Sequence, residues 1–181
     1  MITYRIEKGS ALTYQELDDN FREIAGIPNV RWQKLRNTIE TELVEDEPGT
    51  LTADVAWGTT DHTDAVHYDF NGTNSTTTTT MVKNGIYRVN ADVVIEYHAD
   101  SSLDNNVRLE LLVNNTPISS TYKLPQTEHL GAFESLKINT IVVLNVNDTI
   151  KLKVTAENEN ASYKIAANKG EFVMEWAGYN P

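Results

Sequence analysis

With 181 residues, a hydrophobic fraction of 40% and a formal net charge of −11, the chain has the material for one packed domain carrying a small appendage. The acidic excess excludes the clustered Lys and Arg that nucleic-acid phosphates require and is equally unfavourable at an anionic membrane surface. The absence of cysteine removes thiol nucleophiles, disulfides and thiolate metal sites together, and no apolar run approaches the roughly 20 residues of a bilayer span.

The opening MITYRIEKGS has neither the basic start nor the apolar stretch of a secretory signal. A soluble chain that is not exported by the usual route is therefore expected. Residues 12 to 28 then read LTYQELDDNFREIAGIP. Thr13 and Glu16 form a capping box, in which each side chain satisfies the other residue's free backbone N–H. Leu12, just before the cap, and Leu17 have the spacing of a hydrophobic staple. Leu17, Phe21 and Ile24 share one helical face. Gly26 suits a left-handed C-terminal cap and Pro28 blocks continuation. The pattern predicts a helix over 14–25. Three turns are marginal alone in water, so the stripe needs a partner, either this chain's own β domain or another protein or sister copy.

Over 29–48 two periods compete. Trp32, Leu35, Ile39 and Leu43 have helical spacing, whereas Ile39, Thr41 and Leu43 alternate with Thr38, Glu40 and Glu42 as a strand does. The segment is read as a linker or first strand, ended by EDEPG, with the head domain spanning 49–181. Within the head, NGTNSTTTTT (71–80) suits a loop or a surface strand. Tyr87, Val89, Ala91, Val93, Ile95 and Tyr97 alternate with Arg88, Asn90, Asp92, Val94 and Glu96, which predicts a half-buried strand. The same period recurs at Val107–Val113, over 136–146, at Ile150, Leu152 and Val154, and at Phe172, Met174 and Trp176. Asn114-Asn115 and Asn147-Asp148 supply turns. Strands alternating in this way with no helical period between them predict a mainly β fold, an antiparallel sandwich.

Some strands are apolar on both faces. The run IVVL (141–144) is the clearest, and Val94 and Leu112 also interrupt polar faces. In a two-sheet sandwich such strands need a second cover, which a subunit interface supplies. Val94, Leu112, Ile141 and Val143 are the candidate interface residues.

Two resemblances extend this reading. GSALTYQELDDNF (9–21), through Gly9, Leu12, Thr13, Glu16, Leu17, Asp18, Asn20 and Phe21, resembles a segment near the start of many phage tail-fibre and virion appendage proteins. Residues 68–179 resemble the jelly roll shared by complement C1q-like and tumour-necrosis-factor-like domains. Gly85, Tyr87 and Val89 match its Gly-x-Tyr-x-Val strand, VLNVNDTIKLKV its Leu-x-x-Gly-Asp strand pair, and EFVMEWAGY its closing strand. Asn115 and Asn147 stand where glycine is usual, and asparagine tolerates the left-handed backbone better than most residues. The resemblances imply a structural virion protein assembled in the host cytoplasm. It would be a homotrimeric fibre, tail or neck appendage, with a jelly-roll head and a short N-terminal helix. Residues 1–28, through Leu12, Thr13, Glu16, Leu17, Asn20, Phe21 and Ile24, would attach it to other virion proteins. The head would present a surface for host adhesion, with a host-surface glycan or protein as partner. The alternative is a capsid-decorating or neck-sealing protein with no receptor role.

Catalytic chemistry finds no foothold. Neither a Gly-x-Ser-x-Gly elbow nor a phosphate-cradling loop is present, and no enzyme activity or cofactor is expected. His62, Asp64, His67 and Asp69, and separately Asp100 and Asp104, are closely spaced, but both groups are read as exposed polar loops and no metal is assigned. Tyr122 and Tyr163, near turns, are read as rim residues of the core, with stacking on a sugar ring as the lesser alternative.

Overall fold

The computed structural model describes residues 32–63, 68–69, 77–98, 106–123, 133–157 and 162–178, all within the unit Trp32–Pro181. The predicted N-terminal helix and its attachment residues lie outside them, and no helix occurs among the described residues. The chain crosses repeatedly between two antiparallel sheets. β1 (Trp32–Asn37) and β2 (Thr41–Glu42) lie in the first, and β3 (Val44–Glu47) and β4 (Thr50–Asp54) in the second. β5 (Thr59–Thr63) returns to the first, and β6 (Tyr68–Asp69) and β7 (Thr78–Met81) to the second. β8 (Gly85–His98) is in the first, followed by β9 (Val107–Val113) and β10 (Thr116–Lys123) in the second. β11 (Phe133–Leu144) is in the first, β12 (Thr149–Ala156) in the second, and β13 (Ser162–Ile165) and β14 (Gly170–Gly178) close the first.

Residues 29–48, read from the sequence as a linker or first strand, supply three strands. β1 lies inside the first sheet, paired with β14 on one side and β5 on the other. The helical spacing of Trp32, Leu35, Ile39 and Leu43 is therefore incidental. Period two places Gln33, Leu35 and Asn37 inside, each fully buried.

The spine of the first sheet is β8. β11 runs along one edge of it, from Phe133 opposite Glu96 to Leu144 opposite Gly85. β14 and β13 share its other edge. The inward residues of β8, namely Tyr87, Val89, Ala91, Val93 and Ile95, meet Leu109, Leu111, Leu152 and Val154 of the second sheet in one core. Trp57 stacks on Phe172 with ring centroids 5.5 Å apart. A polar tie crosses this apolar layer, Thr79 Oγ1 donating to Gln33 Oε1 at 3.0 Å.

Asparagine does serve for glycine at the turns. Asn114 and Asn115 have φ of 50° and 65°, and Asn147 has φ of 72°. Two consecutive left-handed residues between β9 and β10 make the two-residue hairpin whose twist suits antiparallel strands. The run DHTDAVHYD is divided between sheets, with His62 on β5 and Asp69 on β6. Among the described residues no group of three metal-ligating side chains occurs.

Candidate functional site

The outward face of the first sheet can be read in rows across β11, β8, β14 and β1 from the strand registers. At one end Val143 lies beside Ile86. Next come Ile141, Arg88 and Glu175, and then Asn139, Asn90, Val173 and Lys34. Below these run Lys137, Asp92, Glu171 and Arg36. Ser135 then faces Val94, and at the far end Phe133, Glu96, Lys164 and Glu42 form the last row.

Both ends of β11 are apolar and open. Ile141 is 64% exposed, Val143 53% and Phe133 47%. Between them the charges are matched in pairs. Lys137 Nζ lies 2.9 Å from Asp92 Oδ2, Lys34 Nζ 2.8 Å from Glu171 Oε2, and Arg88 Nη1 3.6 Å from Glu175 Oε2. Ser135 Oγ donates to the other oxygen of Asp92 at 2.5 Å. The hydrogen bond to Asp92, and then its charge, raise the Lys137 ammonium above the ordinary lysine value of 10.5. At the last row Glu40 and Glu42 raise Lys164 in the same way, by hydrogen bonds at 3.0 and 3.4 Å. Lys169 Nζ sits 3.1 Å from the centre of the Phe133 ring.

A face of this kind is suited to being covered. Its assets are apolar area at two ends and a centre whose charges are already paired, so that covering it strands few groups. The four residues singled out from the sequence do not form one surface. Val94, Ile141 and Val143 share this face, whereas Leu112 lies on the outward face of the second sheet, opposite Lys151 and Pro117. There it is only 6% exposed and lines a shallow depression with Val44, Asn115, Lys151 and Lys153. Its apolar demand is met within the chain.

Phe133 escapes the sequence reading because the strand is expected to start at 136. Carried back three residues, the alternation of β11 puts it in phase with Ser135, Lys137 and Asn139. Tyr163 is 1% exposed and part of the core, which agrees with the core reading of that ring and leaves it nothing to offer a ligand. Tyr122, by contrast, stands 60% exposed on the outward face of the second sheet.

No known family profile matches the chain, nor does any curated protein sequence. Solved structures do. Murine APRIL, crystallised at pH 8.0, aligns over 80% of this chain and 97% of its own, with a TM-score of 0.52 and 12% identity. Eiger TNF from S. frugiperda aligns over 83% and 94% respectively, with a TM-score of 0.57 and 10% identity. At such identities the likeness speaks for architecture, and the architecture of this chain is an antiparallel jelly roll of the tumour-necrosis-factor type.

Proposed function

We propose that the protein is a non-catalytic structural component of a phage virion, a homotrimeric appendage whose jelly-roll head associates through the outward face of the first sheet. One observation carries the association: Ile141, Val143 and Phe133 stand open on one long edge strand, where an isolated domain gains nothing from them. The tumour-necrosis-factor type of fold is consistent with three copies. The virion role draws its support from the N-terminal segment 9–21 and its resemblance to phage appendage proteins.

Light scattering at micromolar concentration should give three times the 20.3 kDa of the chain; the mass of one chain overturns the association. For the virion role, Phe21→Ala should abolish incorporation into particles while the melting temperature of the head stays in place. Normal incorporation of that variant overturns the attachment reading. Purified protein that ignores host cells would assign the head to neck sealing or capsid decoration instead of adhesion.

A further inference from the structure

The outward face of the second sheet carries a group that the association does not use. Tyr122, on the edge strand β10, lies directly opposite Arg108 of β9, which in turn lies opposite Thr155 of β12. The Arg108 guanidinium carbon is 5.7 Å from the centre of the Tyr122 ring, and its Nη1 is 3.5 Å from the phenol oxygen. Arg108 Nε is 3.3 Å from Glu110 Oε1, and Thr155 Oγ1 donates to Glu110 Oε2 at 3.4 Å. Glu110 is 8% exposed, although its strand faces solvent on that side. The ring thus neighbours a cation that itself lies beside a nearly buried carboxylate, while most of the ring remains open.

A pyranose ring offers an apolar C–H face bordered by hydroxyls, so it calls for a flat apolar platform with donors and acceptors at its rim. Tyr122 is such a platform. Arg108 supplies donors, and the phenol oxygen and Ser120, which faces Glu110 across the strands, supply groups that both donate and accept. Because the tyrosine is already oriented, little side-chain freedom is lost when a ligand settles on it. The charge of the ligand is also constrained. Arg108 is matched by Glu110 and feels Glu157 as well, so its own charge is already answered before a carboxylate or a phosphate arrives.

We infer that Tyr122, with Arg108 and Ser120 at its rim, binds a neutral saccharide. The site lies on the sheet opposite the proposed association face and does not depend on it. The test titrates the full-length protein with neutral glucose, galactose and N-acetylglucosamine oligomers, and with sialylated and uronate oligomers beside them, up to about 20 mM. Binding is followed by saturation-transfer NMR. A neutral oligomer should bind in the millimolar range. Tyr122→Ala should weaken it at least tenfold, and Tyr122→Phe, which keeps the platform but loses the phenol oxygen at its rim, should weaken it less than Tyr122→Ala does. Light scattering run in parallel should find the same mass for all three proteins, so that loss of the site is distinguished from loss of association. The inference is overturned if no neutral oligomer binds, if only the acidic ones bind, or if Tyr122→Ala binds as tightly as the parent.

Discussion

At the scale of single residues, the start of β8 shows why a motif can be legible while its reason is hidden. Gly85 and Tyr87 stand out in the sequence by their resemblance to the Gly-x-Tyr strand of jelly rolls. The structure supplies the cause from the far end of the chain. A Cβ on Gly85 would run into the Trp176 indole and the Gly178 carbonyl. The indole Nε1 donates to Asn84 O at 3.2 Å, Lys83 lies over its ring at 4.4 Å, and the Tyr87 hydroxyl donates to Lys83 O. Gly85→Ala should therefore cost about 2 kcal/mol through overpacking, seen as a fall of about 4–8 °C in melting temperature for a domain of this size. An unchanged melting temperature would show that Trp176 can step aside. Lys137 gives a second check. Its folded pKa is raised above 10.5, so what the ion pair contributes is fully present below that value and lost as pH climbs through the higher one. NMR titration of its ammonium should give a midpoint above 10.5, and a midpoint at or below 10.5 would detach it from Asp92.

Among the elements, β11 separates what periodicity can reveal from what it cannot. Alternation alone tells that IVVL is apolar on both faces. It does not tell which sheet a strand joins, and for that reason periodicity groups Leu112 with Val94, Ile141 and Val143. Sheet membership is decided by pairing between residues far apart in sequence, as when Ile141 meets Arg88 and Leu112 meets Lys151, and a one-sequence pattern contains no such information. The two sets now predict different outcomes. Ile141→Asp with Val143→Asp places two charges on the proposed association face and should reduce the mass in solution to one chain without loss of β structure by circular dichroism. Leu112→Ala should leave the mass as it was and lower stability by about 2 kcal/mol, since only the packing within its own sheet face is lost. Reversal of those results would move the interface to the second sheet. The turns were the most legible elements, because the left-handed backbone at Asn114, Asn115 and Asn147 is a local demand met by the residue itself.

For the whole molecule, the inward residues of the two sheets make a core between Leu35 and Trp176. Removing residues 1–28 should leave a β-rich head whose melting temperature matches the parent within about 2 °C and whose mass in solution is still that of the assembly. A head that aggregates on truncation would show that the N-terminal segment covers part of it. The pairing of β8 has a further consequence, for how the chain is made. Both of its edges are filled by strands that come later, β11 on one side and β13 with β14 on the other, and β1 too waits for β14. At about 5–20 residues per second, translation from His98 to Gly178 leaves the central strand unsatisfied for on the order of ten seconds. During that interval the nascent chain cannot stop at a smaller stable domain. A ribosome that stalls before β14 holds a polypeptide with open strand edges beside those of its neighbours on the same message, where unpaired edges are templates for pairing with another chain.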